Sequence, residues 1–277
     1  MGNIIWLASH PRSGNIWLQA FLYNLICDAH QAPSPETISG FCTPESAALH
    51  FMTIDSRPLS AWTREETAGR RADAHKAITG LRSDNVFAST RAALVSRGGA
   101  ATITMEHTTA AIYLVRNPLD LAVSLAASED CSIDDAILRL ETEYESANSD
   151  QFAYEYQGSW STHVLSWTQQ RHAGLHLLRY EDMLSAPEKS FGPLATFLGF
   201  DSSPERLDRA IRFSSFADLA VEQNNSTYAR NTEGAKKLLR VGKSDQWREV
   251  LSADQVRRVV ERHAEQMERF GYIPDSY

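Results

Sequence analysis

Hydrophobic and polar positions divide the chain into short apolar runs alternating with segments of helical period. Ile4, Ile5, Trp6, Leu7 and Ala8 form a strand-type run that Pro11 stops, and Ser13, Gly14 and Asn15 supply turn chemistry. Trp17, Leu18, Phe21, Leu22 and Leu25 then recur at helical spacing, which predicts a helix opening near Asn15. Two more strands are predicted at 85–90 (NVFAST) and 110–115 (AAIYLV), the second ending at Arg116-Asn117-Pro118. Pro118 suits the first turn of a helix that continues through Leu121, Val123 and Leu125.

Ser132, followed by Asp134 and Asp135, predicts a helix start with acidic residues at its positive end, and that helix is expected to reach about Ser146. Trp160, His163, Val164 and Trp167 occupy one helical face, and LHLLR at 175–179 is a further strand followed by Tyr180. Segments 60–79, 187–198, 203–213 and 253–270 read as helices, whereas 31–60 reads as irregular structure with short helices. Strands alternating with helices at these intervals imply a three-layer α/β/α fold around a mainly parallel sheet, with ligands bound beyond the carboxyl ends of its strands.

At 277 residues and 43% hydrophobic content the chain has the size of one α/β domain, expected to span 1–277. The opening MGNIIWLASHP has no basic leader and no window approaches a membrane span, so a cytoplasmic protein that does not enter membranes is expected. Cys27, Cys42 and Cys131 lack metal-type or C-x-x-C spacing and read as reduced thiols, and no metal site is expected. The net charge of -8 argues against general affinity for nucleic acid, so an anionic ligand has to be held by locally gathered arginines.

The chemistry concentrates where strands end. The turn after the first strand joins a helix start, whose free N–H groups favour an anion, to the full charge of Arg12. Arg116 closes another strand, with Ser124 about two turns into the next helix, so that a guanidinium and a hydroxyl from one strand–helix unit are suited to a second phosphate. No G-x-x-x-x-G-K-[ST] pattern is present and no Mg²⁺-ligating motif is evident, which disfavours a P-loop kinase.

PRSGNIW at 11–17 resembles the 5′-phosphosulfate loop of the cytosolic-type sulfotransferases, and YLVRNPLDLAVS at 113–124 resembles their 3′-phosphate segment. RVGKSDQW at 240–247 is similar to their Arg-x-Gly-x-x-Gly-x-Trp loop, with Asp245 at the usual second glycine. Shorter matches are GSWSTHVLSW at 158–167, RYEDM at 179–183 and FSSFADL at 213–219. The resemblance implies the P-loop-like sulfotransferase fold and an enzyme that passes a sulfuryl group from 3′-phosphoadenosine 5′-phosphosulfate (PAPS) to a hydroxyl or amine of a small-molecule acceptor, leaving 3′-phosphoadenosine 5′-phosphate (PAP). It further implies that Arg12, Ser13, Gly14, Asn15 and Ile16 hold the 5′ end, and that Arg116, Ser124, Arg240, Val241 and Gly242 hold the 3′-phosphate. Trp17 and Phe216 would sandwich the adenine, with Tyr180 nearby.

The pattern departs from the family at the reacting centre. VFASTRAALV at 86–95 aligns with the segment that usually carries Lys-Thr-His, which puts Ser89 at the lysine and Arg91 at the histidine that serves as general base. Arginine does not accept a proton near neutral pH. His10, beside the anion loop, and His163, on the Trp160 and Trp167 face, are the candidate substitutes, with Arg12 stabilising the transferred group. Ile16 replaces a threonine donor. An amine acceptor would need less help from a base. The alternative reading is a PAP- or PAPS-binding protein that has lost transfer and serves a regulatory or partner role. A homodimer is left open, and the acceptor side is expected from 31–60, 129–157 and 224–239.

Overall fold

The computed structural model describes residues 2–170, 172–200, 203–225 and 242–276. Five parallel strands make the main sheet in the order β2-β3-β1-β6-β9: β1 (Ile4–Ser9), β2 (Cys42–Pro44), β3 (Val86–Thr90), β6 (Thr108–Val115) and β9 (Leu175–Arg179). Two antiparallel ribbons lie outside it, β4 (Ser96–Arg97) with β5 (Ala100–Ala101), and β7 (Tyr144–Glu145) with β8 (Tyr156–Gly158).

All six residues of β1 are buried, because the strand is central and covered on both faces; this explains its continuous apolar run in place of an alternating one. The pleat still sorts them. Ile4, Trp6 and Ala8 enter a core with α5 (Pro118–Glu129), α6 (Ile133–Glu141), α7 (Trp160–Thr168) and the Ala253–Arg269 helix. Ile5 and Leu7 face the opposite core, built with α1 (Asn15–Cys27) and the helices Pro187–Phe197 and Pro204–Phe213. The chain leaves β1 toward β2 and β3 on one side and later places β6 on the other, so the strand order reverses at β1. A ligand crevice is expected outside the carboxyl end of that strand.

The strands at 85–90, 110–115 and 175–179 and the later helices form as the periodicity predicts. Two readings needed correction. The helix opened by Ser132 stops at Glu141 rather than near Ser146, because the chain turns extended at Thr142 to pair β7 with β8. Segment 31–60 contains, besides α2 (Pro35–Phe41) and α3 (Ala48–Met52), the edge strand β2, too short to show a period.

Between α3 and the sheet lies a buried ion pair. Glu45, after β2, accepts from Arg71 of α4 (Arg64–Thr79), and Arg71 also donates to the Tyr154 carbonyl at 2.6 Å. The His75 ring lies 3.5 Å from the same carboxylate. Burial alone would raise the Glu45 pKa, but the Arg71 charge and His75 outweigh it and leave it lowered. Replacing Glu45 by alanine strands a buried guanidinium and should cost about 3–5 kcal/mol in denaturant unfolding. The stability that this carboxylate contributes is intact above the ordinary glutamate range near pH ~4.3 and drains away as pH falls through its lower folded value. Unfolding curves of wild type and Glu45→Gln between pH 7 and pH 3 should therefore converge in acid.

Candidate active site

A cavity of about 330 Å³ opens where β1, β3, β6 and β9 end, lined among others by Arg12, Asn15, Trp17, Arg91, Arg116 and Tyr180. Its floor is the turn after β1. Arg12 and Gly14 both take left-handed backbone conformations, with φ of 68° and 104°, and Ser13 donates its N–H back to the His10 carbonyl at 3.3 Å. Gly14 caps α1 without a side chain, so no side-chain cap occupies the helix's first-turn N–H groups. Asn15 braces the turn, its amide donating to the Leu7 carbonyl at 2.9 Å and to Ser9 Oγ at 3.1 Å, while Gln19 donates to Asn15 Oδ1 at 2.7 Å. The local sequence accounts for this shape, since a Cβ on Gly14 would sit 2.7 Å from the Tyr180 ring.

Arg116 ties the cavity together. Its guanidinium donates to the Arg12 carbonyl at 3.0 Å and to the Lys243 carbonyl at 3.3 Å, and lies 4.2 Å over the Tyr180 ring. Arg12 in turn reaches Ser124 Oγ at 3.4 Å. Three residues singled out from two separate sequence segments thus converge. Ser13 Oγ, Trp17 Nε1 and Arg116 Nε are buried and have no hydrogen-bond partner among the described residues; Trp17 and Arg116 line the cavity and Ser13 does not. Such orphaned groups cost free energy unless a ligand or water meets them.

Aromatic residues cover the far wall. Trp17 and Phe216 are 4.8 Å apart between centroids and inclined at 61°, with Tyr180 at 5.8 Å from Trp17. An aromatic base held between two rings needs a gap of about 7 Å, twice a stacking contact. The expected sandwich is therefore closed in this arrangement, the two rings touching edge to face. Phe216 is also where Gly242 packs; a Cβ there would come within 2.4 Å of the ring, and Gly242 has φ of 63°. Gly242 and Ile16 line the cavity. Arg240 and Val241 lie outside the described residues.

Asp245 does not face the ligand side. It adopts φ of 60°, the conformation a glycine would take, and its exposed carboxylate lies 3.4 Å from Arg248. Its backbone N–H donates to Asp120 at 2.7 Å and that of Trp247 at 3.1 Å, so buried Asp120 fastens this loop to α5. Burial raises the Asp120 pKa against the opposing charge of Arg116.

The two candidate histidines are placed differently from expectation. Neither lines the cavity. Both are buried, in edge contact with each other, centroids 5.5 Å apart. His163 Nε2 is 3.1 Å from the Arg91 carbonyl and its Nδ1 is 2.9 Å from the Tyr113 hydroxyl. A carbonyl only accepts, so Nε2 carries the proton and Nδ1 accepts from the tyrosine. Both nitrogens are thereby engaged, and burial lowers the His163 pKa to about 4. His163 supports the end of β3. Burial and the neighbouring His163 depress His10 as well.

Ser89 and Arg91 do line the cavity, at the places of the family's lysine and histidine. A residue that sequence reasoning missed stands beside them. Glu155, buried just before β8, lines the cavity and accepts the Arg91 N–H at 3.1 Å. It falls within 129–157, and nothing in its neighbours' pattern separates it from any other glutamate there.

These geometric features agree with independent comparisons. The family model of the sulfotransferase domain matches residues 3–271, and the chain belongs to that family. Sulfotransferase 2A6 of Mus musculus is 31% identical over 144 residues, covering 50% of this chain and 49% of that protein. The 3-alpha-hydroxysteroid sulfotransferase of Cavia porcellus is 29% identical over 172 residues, covering 60% and 58%. The chain thus spans about half the length of the first curated relatives it matches. Among solved structures, retinol dehydratase in a complex with retinol and PAP superposes with a TM-score of 0.68 at 16% identity, covering 96% of this chain and 81% of that one. A mouse sulfotransferase complexed with PAP gives 0.62 at 20% identity, covering 96% and 84%. At these identities the structural likeness shows the fold.

Gly14→Ala should destabilise the chain by about 1–3 kcal/mol, since a left-handed residue acquires a side chain against Tyr180. Thermal unfolding measures the loss, and Gly40→Ala, inside α2 with nothing within 4 Å of the added Cβ, is the control that should cause no loss and should stabilise slightly.

Proposed function

We propose that the chain binds PAPS and PAP in this cavity and transfers the sulfuryl group to a hydroxyl or amine of a small-molecule acceptor. The observation that carries the reading is the convergence of Arg12, Arg116 and Ser124 on the turn ahead of α1, with Arg116 Nε buried there and without a partner among the described residues. Two anionic groups on one ligand match two such donor sets. The names of the relatives, and the PAP in the solved complexes, support the same cofactor.

PAPS, when bound, supplies an activated sulfuryl group whose leaving oxygen belongs to the 5′-phosphate. Arg12, Ser13 and the first-turn amides of α1 would hold that end, and their charge and dipoles favour negative charge accumulating there. Arg116 and Ser124 would hold the 3′-phosphate, with Gly242 closing over it. Arg240 and Val241, from the undescribed segment, complete the family's pattern. Trp17, Tyr180 and Phe216 would hold the adenine, which requires the Phe216 ring to swing off Trp17 before the base enters.

One observation favours the second reading, a nucleotide-binding protein without transfer: the histidine position is Arg91 and neither nearby histidine reaches the cavity wall. Both readings require the nucleotide, and only the first requires turnover. Calorimetry should show PAP binding and a clear preference over ATP, and failure to bind PAP would overturn the site. Arg116→Gln should weaken PAP by about 1.5–3 kcal/mol, roughly ten- to a hundred-fold, with unchanged far-UV circular dichroism. Release of PAP from PAPS in the presence of phenols and amines then separates the two readings.

A further inference from the structure

We infer that Glu155 is the catalytic base of this site, taking the acceptor's proton at the end of β3 where the aligned histidine is missing. The inference rests on the sulfuryl-transfer reading above and adds a residue to it.

The argument is one of placement. β1 and β3 are adjacent parallel strands, with Ala8 opposite Thr90. Ser9 ends β1 ahead of the anion turn and Arg91 directly follows β3, so both lie one residue beyond that pair, and both line the cavity. Glu155 is fastened at that point by the Arg91 N–H, 3.1 Å from its Oε1. Its own N–H donates to Ser146 Oγ at 2.8 Å, which fixes the backbone behind it. Among the described residues none donates to Oε2, and the side chain lines the same cavity as Arg12 and Ser89. A carboxylate that lines the cavity with one oxygen anchored and no described donor on the other is suited to act as a general base.

Its surroundings make it a stronger base than a free glutamate. Burial raises the Glu155 pKa, Arg91 opposes that, and Glu45 raises it further, with Arg71 also opposing. Among the described residues, Arg12, Arg116, Glu129, Arg139 and Tyr180 are further ionisable groups on the same cavity wall. His163 also contacts the Arg91 backbone, but neither it nor His10 lines the cavity, whereas Glu155, held by the Arg91 N–H, does.

The step balances without another reactant. As the acceptor oxygen or nitrogen bonds to sulfur, its proton passes to Glu155. The bond from sulfur to the 5′-phosphate oxygen breaks, and the electron pair leaves on that oxygen. Glu155 returns the proton to solvent after product departs.

Glu155→Gln keeps an acceptor for the Arg91 N–H and removes only the basicity. With PAPS and a series of substituted phenols, kcat should fall about 10²- to 10⁴-fold while the Kd for PAP is unchanged. The loss should shrink as the phenol becomes more acidic, and the fall in wild-type kcat toward low pH should vanish in the variant. Acetate added to Glu155→Ala should restore part of the rate. Independently of turnover, the Glu155 carboxyl carbon, identified by its disappearance from ¹³C spectra of the glutamine variant, should titrate above the ordinary value of about 4.3. Glu155→Gln turning over at the wild-type rate, or a carboxyl titrating at or below that value, overturns the inference and leaves the proposed function standing. A wild-type chain that binds PAP yet releases none from PAPS overturns both.

Discussion

The Arg116 guanidinium holds the binding edge of this protein in one arrangement. It lies at the end of β6, accepts the Tyr180 ring beneath it, and donates to carbonyls in the turn after β1 and in the loop at Lys243. Three strand ends and a distant loop are therefore organised by one planar, permanently charged group with a fixed fork of donors, a task a lysine could not match. The same charge faces the position where an anionic ligand would sit. Structure and binding draw on one residue, so the turn after β1 and the closing loop cannot shift independently of the cavity between them.

Around that centre, buried and half-buried carboxylates fasten the loops by accepting backbone N–H groups. Asp120 accepts from residues 245 and 247, Glu181 from Asn117 at 3.0 Å, and Glu155 from Arg91. An ionised carboxylate is an acceptor-only group and matches loop amides that have no strand partner. Burial raises the pKa of all three. For Asp120 and Glu181 the cost fixes a loop, Glu181 being satisfied a second time by the Tyr272 hydroxyl at 2.7 Å. Glu155 differs in facing the cavity, and that difference separates a structural carboxylate from a chemical one. His163 shows the converse. A histidine at a suggestive position serves as a prop, because both of its nitrogens are consumed by Tyr113 and the Arg91 carbonyl.

The half of the cavity formed by the turn after β1 and by Arg116 was legible because it is built from consecutive residues. A turn, a glycine with positive φ and a helix start must follow one another for α1 to present its amides, so PRSGNIW carries its geometry in its order. YLVRNPLDLAVS is legible for the same reason, with Pro118 and the Asn117 side chain, which accepts from Leu119, starting α5 directly after the strand. The other half has no such continuity. Its wall draws Ser46 from the loop after β2, Arg91 from the end of β3, Arg139 from α6 and Glu155 from the segment before β8. Only the packing of those segments makes them neighbours.

The sequence by itself determined the alternation of strands and helices, the anion turn and the identity of the two positive groups, because each follows from local period, turn chemistry or a residue's fixed charge. The tertiary structure decided what those groups do. It turned Asp245 outward by giving it a glycine's backbone conformation and tying its amide to Asp120, it closed Trp17 against Phe216, and it buried both histidines off the cavity wall. It also brought Glu155 to the end of β3. Orientation, burial and proximity of residues far apart in the chain arise from packing, and no local pattern encodes them.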